Sequence, residues 1–232
     1  MAEGSSRILR RPRYGRGESE FDRALTFIDA TFALALTLLV TTLDVGGERS
    51  IWESVGALGR GVGSQFMAFA LSFAVIALYW LANHRILASF AALDTPVIVT
   101  NLLLIASVVL IPFTTEALGD APGNLPLPTV AYAVNIAATS VLHQLVYAVG
   151  YRRGLLADPP RRGAFARSLV AGLTPAAVFL ASIPVAFFVS PDAAQLSWIA
   201  LALLGPVASR WARRGGGARA SGPTPTGGAE GR

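Results

Sequence analysis

Residues 102–111 read Leu102-Leu103-Leu104-Ile105-Ala106-Ser107-Val108-Val109-Leu110-Ile111. With one hydroxyl and no charge, this stretch is apolar around the whole circumference of a helix, as suits a helix surrounded by lipid and other helices rather than by water. Working outward, the apolar run extends over 97–118, long enough to cross the hydrocarbon of a bilayer. Five further runs of comparable character lie at 24–45, 61–82, 129–150, 166–190 and 194–210. They do not alternate polar and apolar residues as the strands of a membrane barrel do. Composition agrees: of 232 residues, 53% are hydrophobic and 14% charged, with a mean hydropathy of +0.54, too apolar for a soluble domain with a polar surface. The expected fold class is all-α, an integral membrane protein with six transmembrane helices.

The formal charge is +5 and the sequence pI about 10.4, a balance that on a soluble chain suggests nucleic acid. Here every basic residue is arginine and the arginines flank the apolar runs, so they set topology and no nucleic-acid partner is expected. One side of the membrane receives the N-terminal arginines, Arg85, the group Arg152, Arg153, Arg161, Arg162 and Arg167, and finally Arg210, Arg213 and Arg214. The other side keeps only Arg49 and Arg60. Basic residues are retained in the cytoplasm, so both termini are expected there, in a multi-pass protein of the cell membrane. The N-terminus is not expected to be a cleaved signal, because Arg7, Arg10, Arg11, Arg13 and Arg16 lead through a polar stretch into a span-length run. The domain reading is a basic cytoplasmic segment (1–22), a six-helix membrane domain (23–211) and a low-complexity, disordered cytoplasmic tail (212–232). Within the membrane domain, Gly119–Pro128 and Asp158–Gly163 read as connecting loops, and Pro112, Pro175 and Pro184 as kinks inside spans. With no cysteine there is no disulfide framework or thiolate site.

Polar side chains at membrane depth are costly, so each is a candidate for function or for interhelical bonding. The first span holds the densest set, beginning Arg23-Ala24-Leu25-Thr26-Phe27-Ile28-Asp29. Asn83 and His84 close the second span and Asn101 opens the third at a similar depth. The expected arrangement is a cytoplasmic-side cluster in which Asp29 is held by Arg23, His84 or the asparagines, either locking three helices together or taking part in gating. Beyond Asp29, positions 34, 37, 38 and 41 follow helical spacing and make a stripe of Leu34, Thr37, Leu38 and Thr41. Two readings of its hydroxyls stay open: Thr37, Thr41 and Thr42 bond back to their own helix, or the stripe lines a pore in which threonine oxygens replace part of a cation's hydration shell and leucines form a dewetting constriction. In the fourth span Asn135, Thr139, His143 and Gln144 form a polar seam whose default reading is packing. Glu116 is expected to meet water. His84 and His143 are too isolated to suggest a metal site. No phosphate-cradling loop, His-Glu-x-x-His pair or nucleophile elbow occurs, so an enzyme is not expected.

Arg23-Ala-Leu-Thr-Phe27-Ile28-Asp29 followed by Ala30-Thr-Phe-Ala-Leu-Ala-Leu-Thr-Leu-Leu-Val resembles the Arg-x-x-x-Phe-Ser-Asp signature that opens the first helix of the transmembrane protein 175 family, in its bacterial branch. Tyr79-Trp80-Leu81-Ala82-Asn83-His84-Arg85, then Asn101-Leu102-Leu103 and Ile111-Pro112-Phe113-Thr114-Thr115, resemble its second and third spans in the same order, up to about residue 118. The resemblance implies a potassium-permeable channel of six helices per subunit, assembled as a homotetramer in membrane lipid with the first helices lining a central pore. It implies a constriction at Leu34 and Leu38, a selectivity-aiding hydroxyl ring at Thr37 with Thr41 further out on the same face, and a signature network of Arg23, Phe27, Asp29, Asn83, His84 and Asn101. It implies no cofactor and no metal beyond permeating potassium, and no small-molecule substrate other than monovalent cations. Ile28 departs from the signature, which has serine there. The competing readings are a proton-coupled secondary transporter, which calls for an internal repeat not evident here, and a membrane scaffold without transport.

Overall fold

The structure, a computed structural model, describes residues 13–43, 55–120, 124–198 and 210, with side chains of the second stretch from residue 63 onward. A short strand β1 (Arg13–Gly15) precedes helix α1 (Ser19–Leu38), whose last turn tightens into a 3-10 turn over Leu39–Thr42. There follow α2 (Val55–Ala88), strand β2 (Ala92–Asp94), α3 (Thr95–Val109), α4 (Ile111–Asp120), α5 (Pro126–Arg152), α6 (Arg162–Gly172), α7 (Thr174–Phe188) and the short α8 (Pro191–Ser197). Among the described residues five segments are long and apolar enough to cross a membrane: Ser19–Thr42, Gly63–Ala88, Thr95–Asp120, Pro126–Arg152 and Arg162–Phe188. They coincide with the first five expected spans. The sixth, 194–210, lies mostly outside the described residues, as does the 212–232 tail.

Two of the three expected proline kinks are breaks. Pro112 is the second residue of α4, just past the end of α3, and Pro175 the second residue of α7, just past the end of α6. Each proline withholds the N–H that would have continued the helical ladder. Pro184, by contrast, sits inside an unbroken α7. The expected Gly119–Pro128 loop is shorter than read, because α4 runs on to Asp120 and α5 begins at Pro126. Gly119 belongs to a helix for a packing reason: a Cβ there would stand 3.1 Å from the Gln65 Cα, so glycine lets α4 and α2 approach closely.

The arginine-bearing ends of the helices meet in a small collar that departs from an all-helical chain. β1 pairs antiparallel with β2, Arg13 opposite Asp94 and Gly15 opposite Ala92. Arg16 donates from Nε to the Phe90 carbonyl at 2.6 Å and from its guanidinium to the Ala88 carbonyl, satisfying acceptors left over at the end of α2. Asp94, fully buried, caps α3 by accepting from the Val97 N–H at 3.2 Å and pairs with Arg153 at the end of α5. Phe90, also buried, lies against Gly150, where a Cβ would come within 2.2 Å of the ring. The first helix therefore starts at Ser19, four residues before the expected domain boundary, because residues 13–18 are tied to this collar rather than free in solution.

Elsewhere, packing is carried by aromatic rings and buried hydroxyls. Trp198 stacks on Tyr132 and tilts against Phe179 with centroids 5.2 and 4.9 Å away, and its indole donates to the Ser182 hydroxyl at 2.9 Å. Thr115 donates to Ser72 at 2.7 Å and Ser72 to the Tyr132 hydroxyl at 3.0 Å, joining α4, α2 and α5. In lipid, where apolar burial alone drives little association, such hydrogen bonds and close contacts hold helices together. The expected seam of α5 belongs to this class. Asn135 lies between Ser107 at 3.3 Å and Thr114 at 3.2 Å, and Thr139 bonds Ser107. Glu116 is exposed on α4.

Candidate functional site: the two faces of the first helix

Helix α1 divides its side chains cleanly. Phe21, Ile28, Phe32, Ala35, Leu39 and Thr42 are buried against the rest of the chain, at spacings of three, four and seven. The opposite face carries Arg23, Phe27, Ala30, Leu34, Thr37 and Thr41, all exposed in the single chain and again at steps of three and four. Leu38 flanks it. Phe27 is 56% exposed, Leu34 61% and Leu38 47%, so both leucines of the expected constriction point away from the rest of the chain.

The threonines bond back to their own helix, the first of the two readings. Thr37 donates its hydroxyl proton to the Leu34 carbonyl at 2.8 Å, Thr41 to Leu38 at 2.6 Å and Thr42 to Leu39 at 2.8 Å. A hydroxyl whose proton is spent on its own helix keeps its lone pairs for the far side. For Thr37 and Thr41 that side is the exposed face; for Thr42 it is the interior.

At the other end of α1, Asp29 accepts from the Trp80 indole N–H at 2.9 Å. This corrects the expectation that Arg23, His84 or an asparagine holds it. Arg23 and Asp29 are six residues apart, about 120° around the helix, and do not share a face; among the described residues Arg23 makes no ion pair. His84 stacks near Trp80 with ring centroids 5.7 Å apart and lines, with Arg16, Asp22 and Asp29, a cavity of about 370 Å³ between α1 and α2. Asn83 and Asn101 are each 1% exposed and turn inward, leaving Asn83 Oδ1 and both amide atoms of Asn101 without a partner. Ile28, the departure from the signature, is on the buried face of α1 and brings no hydroxyl to that interior. Trp80 and Arg16 were missed by sequence reasoning. Trp80 had a signal, standing one turn before His84 and so on the same side of α2.

Trp80→Phe keeps a ring and removes the N–H. It is expected to lower the stability of the detergent-solubilised protein by about 1.5 kcal/mol, the low end for a hydrogen bond to a carboxylate because Trp80 is 39% exposed. Arg23→Ala is expected to leave the melting midpoint unchanged. Equal losses in the two variants, read by thermal unfolding, would return Arg23 to the cluster.

Comparison with known proteins places these features. The family model described as endosomal/lysosomal potassium channel TMEM175 matches residues 23–112, the stretch from Arg23 through α1, α2 and α3. A curated potassium channel of Streptomyces collinus is 28% identical over 61% of this chain and 69% of its own length. Another, from Chamaesiphon minutus, is 35% identical over 44% of this chain and 51% of its own. A crystal structure of a lysosomal potassium-selective channel TMEM175 homologue from Chamaesiphon minutus superimposes with a TM-score of 0.62 at 24% identity, covering 84% of this chain and 98% of that one. A variant of the potassium channel MtTMEM175, crystallised with a nanobody fusion, gives 0.57 at 18% identity, covering 92% and 99%. The arrangement of helices is thus shared with these two structures, and the signature-bearing stretch 23–112 is similar in sequence to the TMEM175 family.

Proposed function

We propose that this chain is the subunit of a potassium-selective, leak-type channel in which four copies, each of six transmembrane helices, surround an axis lined by α1. The relatives it matches in sequence are named potassium channels, and the observation that carries the reading to this chain is the exposed face of α1. A helix of which one face packs on its own subunit and the other shows two threonine oxygens between leucines needs neighbours, and identical neighbours around an axis supply them.

In that assembly Leu34 and Leu38 form rings narrow and apolar enough to exclude water when closed. Thr37 and Thr41 set rings of acceptor oxygens beside them. Their protons are already donated to backbone carbonyls, so the oxygens meet a cation without reorienting, and a weakly hydrated monovalent ion exchanges its water for them at the least cost. Conduction is passive and uses no cofactor; potassium is the permeant species. Both termini lie in the cytoplasm of a bacterial cell whose inner membrane holds the channel, supported by the arginines gathered at the collar end.

The test is flux from proteoliposomes loaded with potassium or sodium, with no coupling gradient. Potassium leaves faster from the unmodified protein. Thr37→Ala is expected to lower the potassium-to-sodium ratio by about fivefold, the loss of roughly 1 kcal/mol of differential coordination. Flux that appears only with a proton gradient would make the protein a carrier, and none under any condition a scaffold.

A further inference from the structure

Residues of α2, α5 and the α6–α7 break, with Phe179 of α7, surround a wedge of about 330 Å³. Val75, Leu78, Ile136 and Phe179 give it apolar walls, and no charged side chain lines it. Its floor is polar. His143 is 5% exposed and its Nε2 has no hydrogen-bond partner, while Nδ1 meets the Gln144 amide at 3.2 Å. Gln144 lies directly against Gly172, where a Cβ would fall 2.2 Å from its amide nitrogen, so a larger residue at the α6–α7 break would push that amide out of its present place. At the same break Pro175 has no N–H to offer the Ala171 carbonyl one turn earlier, and Ala171 also lines the wedge.

We propose that this wedge binds a neutral amphiphile with one hydroxyl, an aliphatic alcohol entering from the lipid. The polar groups present are the His143 imidazole, the Gln144 amide, the Thr174 and Tyr79 hydroxyls, the latter already bonded to Ser140, and a backbone carbonyl, all uncharged. A hydroxyl satisfies such a set because it donates to a carbonyl and accepts from a ring or amide N–H at the same time. A carboxylate, phosphate or ammonium head finds no opposite charge and would be desolvated without compensation. At about 30 Å³ for each water-sized group the wedge takes roughly ten heavy atoms, an alcohol of eight or nine carbons. The site stands apart from α1 and does not depend on what passes along it.

The probe is a diazirine-bearing octanol, photolysed with the full-length protein in phosphatidylcholine vesicles and mapped by mass spectrometry. Adducts are expected to concentrate on Val75, Leu78 and Phe179 and to fall when unlabelled 1-octanol is added in excess. Val75→Trp fills the wedge and should abolish them. His143→Leu removes the hydroxyl's partner and should weaken labelling about fivefold, one hydrogen bond's worth, while leaving labelling by a diazirine-bearing octane unchanged. Adducts spread evenly over lipid-facing residues, labelling indifferent to 1-octanol, or equal loss of the alcohol and alkane signals in His143→Leu would each overturn the proposal. So would the absence of any adduct on the wedge, the result expected if a neighbouring subunit covers it. Competition by 1-octanol on the unmodified chain decides the matter even if Val75→Trp fails to fold.

Discussion

Leu34→Ala channels are expected to leak potassium about tenfold faster than the unmodified protein and to lose most of their preference over sodium. The reason lies in where Leu34 stands. It is the most exposed leucine of α1, next to the Thr37 oxygen on the same face, so in the proposed tetramer four isobutyl groups meet where the hydroxyl ring begins. Removing them widens the constriction and lets water persist across it, which lowers the barrier to an ion by about 1.4 kcal/mol or more. A hydrated ion no longer needs the threonine oxygens, so selectivity falls as flux rises. Leu38→Ala, one turn further on, should act in the same direction and less strongly. Flux from Leu34→Ala liposomes equal to that of the unmodified protein, in samples with the same elution volume, would remove α1 from the pore.

The second large effect is on stability. Arg153→Ala leaves the Asp94 carboxylate, fully buried at the start of α3, without its counter-charge. Breaking a buried pair from one side typically costs 3–5 kcal/mol; the Arg153 side chain is 32% exposed, so the expected loss is nearer 3 kcal/mol, a melting midpoint lower by about 6–10 °C. Asp94→Asn should cost less. Asparagine still caps α3 from the same position and carries no charge to strand. Melting curves of the two variants in one detergent separate these outcomes, and a larger loss for Asp94→Asn would mean that the cap, rather than the charge, holds the collar.

How much of this was legible beforehand divides along a physical line. The run 97–118, centred on residues 102–111, identifies a membrane helix because twenty-odd apolar residues have no other solvent to live in, and the same logic finds the other described spans. The faces of α1 were readable too, since a period of 3.6 converts sequence positions into directions: 34, 37 and 41 lie together whatever surrounds them. Contacts between helices were not. Depth along the membrane narrowed the partners of Asp29 to residues at its level, but choosing Trp80 over Asn83 needs the rotation of α2, which packing against α1 and α4 decides. The collar was hidden for a different reason. Three-residue strands carry no periodicity, and β1 is spelled Arg-Tyr-Gly. Only Asp94 left a trace, an acidic residue followed by Thr95 and Pro96 at the head of an apolar run, the mark of a capped helix start.

The collar also fixes one end of a lever. Through Arg16 and β1, the chain just before Ser19 is fastened to the α2–α3 turn, and through Asp94 and Arg153 that turn is fastened to α5. From Ser19 to Leu34 the helix rises about 22 Å, so a pivot of only about 5° at the fastened end swings the leucine sideways by about 2 Å. In the proposed tetramer, four such arms each swinging outward would change the diameter of the constriction by about 4 Å without breaking a backbone hydrogen bond in α1, and the force to move them can be applied at the arginine-bearing collar, far from the constriction itself.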